Sequence, residues 1–162
     1  MQSISIKLRC LKSDQGMLQS QKKYVLLWIF SIHMLPFLSG QINPSQIDIV
    51  RGKYGTPHIF AKTDKEVAYG LAWAHAEDDF KTIQETFLPS KKMMGRHIGK
   101  EGVQLDYIAQ LLKCEELVDR EFNNLSPGVL DVISGYVEGI NAYAEKHPEQ
   151  VLVKKSLPLT AK

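Results

Sequence analysis

His75-Ala76-Glu77-Asp78-Asp79 sets an imidazole beside three carboxylates, groups that bind metals or move protons. On a helix, residues three and four apart share a face. His75 then lies with Asp78 and Asp79, while Glu77 points about 200° away. His75 and Asp79 would supply two metal ligands, whereas a zinc site takes three or four. His58 is the other histidine nearby, and no spacing requires it to join. The plainer reading is preferred: His75 is buried or capped and salt-bridged to Asp79, with Glu77 and Asp78 fixing neighbouring loops.

Nucleophiles are no better placed. Ser126 precedes Pro127 and reads as a helix cap, and neither Ser90 nor Ser134 sits in the glycine-x-serine-x-glycine turn of a nucleophile elbow. Cys114 falls near the apolar face of a helix and reads as core rather than as a reactive thiol. Gly95, Gly99 and Gly102 punctuate a basic loop. No strand precedes it and no lysine-serine or lysine-threonine pair follows, so the pattern is a poor phosphate cradle. The residues therefore yield no catalytic group, no metal-ligand set and no assignable substrate-binding residue.

The elements that position these groups are legible. Ile47-Asp48-Ile49-Val50-Arg51 alternates as a strand, Gly55 and Pro57 make a turn, and His58-Ile59-Phe60-Ala61 resumes as a second strand. Thr63 and Glu66 form a capping box that opens a helix running to about Phe87, before Pro89. Its expected core face is Val67, Leu71, Ala74, Ala76, Phe80, Ile83 and Phe87, with Gly70 placed for close backbone packing. A second helix is expected to bury Leu105, Ile108, Leu111, Leu112, Val118 and Phe122. A third opens with Ser126 as N-cap, Pro127 in the first turn and Leu125 stapled on Leu130. Its core face is Leu130, Ile133, Val137, Ile140 and Ala144, and it ends by His147-Pro148. Val151–Pro158 reads as extended. The expected class is thus α+β, mainly α: two short N-terminal strands, then three amphipathic helices.

The chain has 162 residues, 44% hydrophobic and 23% charged, with a formal net charge of +2. Lys7, Arg9, Lys12, Lys22 and Lys23 face one acid, Asp14, within residues 1–40, so the remainder is slightly acidic. That balance leaves no electrostatic footprint for nucleic acid. Lys22-Lys23, the apolar run Tyr24–Leu38 and the small residues Ser39-Gly40 describe a secretory signal peptide. The run is shorter than the roughly 20 residues that span a bilayer, and membrane anchoring is the minor alternative. Met17 gives the more compact start for such a leader. Without residues 1–40, Cys114 stands alone and forms no internal disulfide. The organisation expected is a leader over 1–40 and one incomplete domain over 41–162, whose strands and helix faces need partners; expressed alone, the latter should aggregate.

Ile47-Asp48-Ile49-Val50-Arg51-Gly52-Lys53-Tyr54-Gly55-Thr56-Pro57-His58-Ile59 closely resembles the start of the mature α chain in the penicillin acylase family, which includes acyl-homoserine-lactone acylases. Tyr69–Asp78 is similar to the next block of that family. Gly95-Arg96 with Gly99–Asp106, Leu125-Ser126-Pro127 and Gly135–Tyr143 resemble later ones, in the same order. The resemblance implies the first part of an α chain within a larger N-terminal-nucleophile (αββα) amidohydrolase, exported as a self-cleaving precursor and acting on an N-acyl compound such as a penicillin or an N-acyl-homoserine lactone. In that family a serine at the β-chain N-terminus is the nucleophile, its own α-amine is the base, and β-chain groups hold the oxyanion.

None of those groups maps onto this sequence, so the chain is expected to be inactive alone. Its implied partners are the remainder of the α chain, the β chain and the N-acyl substrate. Its location is secreted or periplasmic, and calcium is a possible ligand of the complete enzyme but of no residue here. Three positions depart from the family: Gly52 and Asp79 replace a common aspartate and arginine, and Gln110 replaces an arginine. The competing reading is a signal-anchored helical interaction module without catalytic activity.

Overall fold

Alternation builds the opening hairpin. β1 (Asp48–Arg51) pairs antiparallel with β2 (Pro57–Phe60), Ile49 opposite Ile59 and Arg51 opposite Pro57. Gly55 turns the chain with φ 82°, a conformation that side chains other than glycine's resist. The computed structural model describes Ile42–Lys162. The signal peptide, its start at Met17 and Cys10 lie outside the described residues.

The hairpin leans on α1 (Asp64–Phe87). A Cβ at Gly70 would come within 2.7 Å of the Ile59 side chain and 2.9 Å of Ile47, so the missing side chain lets the strands settle on the helix. The expected capping box is present: the Glu66 amide donates to Thr63 Oγ1 at 3.2 Å and the Thr63 amide to Glu66 Oε2 at 3.1 Å. The helix is not continuous, because Asp79 leaves helical geometry at φ −159°, ψ 75°. Its carboxylate instead caps a second segment, accepting from the Thr82 amide at 3.0 Å and the Thr82 hydroxyl at 2.6 Å. A short acidic side chain offers the backbone this alternative to helical continuation.

α5 (Pro127–Lys146) crosses α1 where both present their smallest residues. A Cβ on Gly135 would overlap the Lys65 carbonyl, and one on Gly139 would lie 2.5 Å from that of Tyr69. The buried apolar residues of α1 are Ala68, Tyr69, Ala72, Ala74, Ala76 and Phe80; Ala74, Ala76 and Phe80 are in the core as expected, Leu71, Ile83 and Phe87 are half-buried, and Val67 is exposed. Ala72, Ala76, Phe80, Ile140, Tyr143 and Ala144 form the main core, with Trp73, Ile83 and Tyr136 packed around it. Tyr143 meets Trp73 and Phe80 edge-on, at ring separations of 5.3 and 5.2 Å. Ile140 and Ala144 occupy the expected face of α5, while Leu130, Ile133 and Val137 are only half-buried. Ser126 holds the cap position, but its hydroxyl makes no capping bond and only its carbonyl joins the helix, at 3.1 Å from the Leu130 amide.

The expected second helix is two, and a further short helix stands in the expected glycine loop before it. α2 (Met94–Ile98) and α3 (Lys100–Leu111) meet at Gly99, φ 76°, and α4 (Cys114–Glu121) begins after Lys113, φ 53°. The glycine-punctuated loop is therefore helical on both sides of Gly99. Leu105, Ile108, Leu111, Leu112 and Val118 are exposed rather than core. α3 packs inward through its opposite side instead, where Gly102 abuts the Met94 backbone so closely that a Cβ would overlap it. After a 3-10 turn at Pro148–Gln150 the chain folds back rather than running free, burying Val153 with Leu88 and Met94.

Candidate functional site

The polar cluster at the end of the first α1 segment is centred on Arg51. Its guanidinium reaches Glu77 Oε2 at 3.0 Å and Asp78 Oδ1 at 2.9 Å, and also donates to the carbonyls of Gly55 and Ala74. Glu77 Oε1 accepts from Trp73 Nε1 at 2.9 Å. The hydrogen bond to Glu77, joined by the charge of Asp78, raises the pKa of Arg51 and keeps it cationic. Glu77 and Asp78 thus pin the hairpin turn to the helix, as expected of them. The side chain they hold is Arg51. A cleft of about 650 Å³ opens beside this cluster, between Ile47 and Ile49 of the hairpin and Tyr69, Trp73 and Lys146 of the helices.

His75 is not part of this cluster. It is exposed, its Nδ1 lies 3.3 Å from the Tyr136 hydroxyl, and it makes no salt bridge to Asp79. The expected pair fails because the backbone break at Asp79 turns that carboxylate onward to Thr82. The Thr82 hydroxyl and then its amide hold the Asp79 carboxyl below the usual range. His58 lies on the outer face of the hairpin, away from His75's helix. Among the described residues no group of three or more His, Cys, Asp or Glu side chains could hold a metal ion.

Cys114 is exposed, contrary to its expected place in the core, because α4 starts where the apolar side of α3 is uncovered. Ser90 donates to the Phe87 carbonyl at 2.7 Å, capping the end of α1. No serine or cysteine in the described residues has a neighbouring base arranged to activate it.

The glycine-and-aspartate block has a mechanical explanation. Asp106 accepts from the amides of Met94 at 2.9 Å and Gly95 at 3.0 Å, bracing α2 from α3. Gly52 leaves no orphan, since Arg51 already has two carboxylates; a Cβ there would sit 3.4 Å from His58 Nε2. Gln110 borders an open groove of about 760 Å³ beside Lys91 and Cys114. Burial lowers the pKa of Lys91, whose ammonium donates to the Ser156 carbonyl at 2.7 Å.

Two polar residues went unread in the sequence because their partners are distant. Gln84 is fully buried, donating to the Phe80 and Gln150 carbonyls and accepting from the Leu152 amide at 2.9 Å. Asn141 exchanges both backbone bonds with Leu159, at 2.9 and 2.7 Å. Together they stitch the C-terminal segment across α1 and α5. The arrangement holds and shapes; among the described residues it assembles no reacting pair.

Comparison with known proteins agrees with this architecture. A family model described as penicillin amidase matches residues 46–161. Penicillin G acylase of Escherichia coli is 29% identical over 75% of this chain, and the matched part is 14% of that relative's length. Acyl-homoserine lactone acylase PvdQ of Pseudomonas fluorescens Pf-5 is 26% identical over 62% of this chain, again 14% of its own length. A thermostable penicillin G acylase from Alcaligenes faecalis superposes with a TM-score of 0.60 at 25% identity, covering 71% of this chain and 66% of that one.

Proposed function

Because the chain belongs to the penicillin amidase family, we propose that it is the opening α-chain segment of an acylase-type amidohydrolase and supplies scaffold rather than reacting groups. The complete enzyme hydrolyses the amide of an N-acyl compound, of the penicillin or N-acyl-homoserine lactone type. Its nucleophile is a serine exposed at the start of a second chain, and its precursor is exported. Any calcium the complete enzyme takes is held by residues other than those described. The family match over 46–161 carries this reading, and the Arg51 clamp and the Asp106 brace support it by giving the matched blocks structural work.

The test is to produce the chain together with the polypeptide encoded directly downstream of Lys162, and to follow amide hydrolysis of penicillin G and of an N-acyl-homoserine lactone. Hydrolysis by the pair, none by either alone, and a serine at the new N-terminus of the second chain are the expected results. A stoichiometric pair that hydrolyses no N-acyl substrate would overturn the reading.

A further inference from the structure

The cleft of about 650 Å³ between the hairpin and the helices has the size and lining of a small-molecule site. Ile47 and Ile49 form one wall and Trp73 another. Its polar groups are of two kinds. Arg51 and Glu77 are committed to each other at 3.0 Å, and the second Glu77 oxygen holds the Trp73 indole N–H. Tyr69 and Lys146 are not committed. Tyr69 is only 9% exposed, yet its hydroxyl makes no hydrogen bond among the described residues. Buried polar groups are normally paired, so a hydroxyl left without a partner beside a cleft calls for an acceptor from outside. Burial, and then the charge of Glu138, raises the pKa of Tyr69, so it stays a protonated donor. Lys146 is exposed, with its ammonium 5.0 Å from the centre of the Trp73 ring, and it pairs with no carboxylate among the described residues. A cation held over an aromatic face keeps its charge.

In this lining Arg51 and Glu77 cancel, and the charge of Lys146 remains. A neutral apolar molecule would leave Lys146 and the Tyr69 hydroxyl unmatched. A phosphate would bring up to two charges and nothing to cover Ile47, Ile49 and Trp73. We propose, independently of the function proposed above, that this cleft binds a small organic monocarboxylate with a compact apolar body. Its carboxylate accepts from the Tyr69 hydroxyl and pairs with the Lys146 ammonium, and its body lies against Ile47, Ile49 and the Trp73 ring. Arg51, held by Glu77 and Asp78, shapes the wall and gives the ligand no bond.

The experiment follows hydrogen exchange by mass spectrometry in the full chain, co-produced with the polypeptide encoded directly downstream of Lys162. The probes are naphthoate and its neutral amide, naphthamide. Naphthoate should slow exchange over 47–51 and 69–77 saturably, and naphthamide should need about tenfold more, or worse, for the same effect. Lys146→Gln should raise the half-saturating concentration of naphthoate about tenfold and Tyr69→Phe about fivefold, the scale of a charged and a neutral hydrogen bond. Lys154→Gln, at an exposed lysine outside the cleft lining, should leave it unchanged. Tyr69→Phe keeps the ring and Lys146 is exposed, so both variants should retain wild-type helicity by circular dichroism. The contrast of acid with amide on the wild type decides the matter even where a variant unfolds. No slowing over these segments, equal slowing by acid and amide, or wild-type half-saturation in both variants would each overturn the proposal. Segments already protected by the downstream polypeptide and indifferent to naphthoate would make the cleft an interface instead, and would also overturn it.

Discussion

The crossing of α1 with α5 and the arm formed by α2, α3 and α4 use their apolar residues in opposite ways. At the crossing the contact is made by glycine and alanine: Gly135 and Gly139 bring the backbones together, and Ile140 and Tyr143 close the space around them. In the arm the large side chains of α3 and α4 are exposed or half-buried, and the inward contact of α3 is again a glycine, Gly102, against the Met94 backbone. Small residues mark the surfaces this chain completes for itself. Large exposed ones mark the face it leaves uncovered.

That contrast is easiest to break at Gly135. Gly135→Val inserts a branched side chain against the Lys65 backbone, which cannot yield as a flexible side chain would. A loss of about 3 kcal/mol is expected, read as a fall in the urea midpoint at unchanged slope. The same measurement on Leu111→Ala in the arm should stay within about 0.5 kcal/mol of wild type; comparable losses at the two sites would erase the distinction. Gln84→Ala comes next. It strips the Leu152 amide and the Gln150 carbonyl of their buried partner, at a cost of about 2 kcal/mol. It should also speed hydrogen exchange over 151–159 before that of α1. Asp106→Ala removes the brace on the Met94 and Gly95 amides and should cost about 1 kcal/mol, confined to α2 and α3.

The smallest expected effect is a pH dependence at Asp79. Its carboxyl titrates below its ordinary 3.8 when folded, because Thr82 donates two hydrogen bonds to the ionised form. A depressed folded pKa contributes stability that is complete above the unfolded value and is lost as pH falls through the folded one. The difference between wild type and Asp79→Ala should therefore be constant near neutral pH and shrink only below 3.8, on an acid denaturation series. A difference that grew on acidification would contradict the capping role.

What the sequence revealed tracks how local each cause is. The Thr63–Glu66 box, the turn at Gly55 and the close packing at Gly70 each depend on neighbours or on one backbone approach, and all are present. The Asp79 break was not legible, because one aspartate competing for a cap looks the same as one on a helix surface. Gln84 and Asn141 were opaque for another reason: their partners, Gln150 with Leu152 and Leu159, lie far along the chain. The apolar residues of α3 were visible, but their spacing predicted a buried face, and in the structure they are exposed. Similarly Glu77 and Asp78 read as loop fasteners without revealing Arg51, which only the hairpin register brings to them.

The claim beneath this comparison is that the chain shapes the enzyme and lends no group to the reaction. It is tested most directly by the kcat of the assembled two-chain enzyme carrying His75→Ala together with Cys114→Ala, the histidine of the acidic cluster and the exposed thiol among the described residues. The expected result is a kcat within about twofold of wild type. A fall of about a hundredfold or more, the scale at which a general base or nucleophile is missed, would place chemistry in this chain and contradict the account.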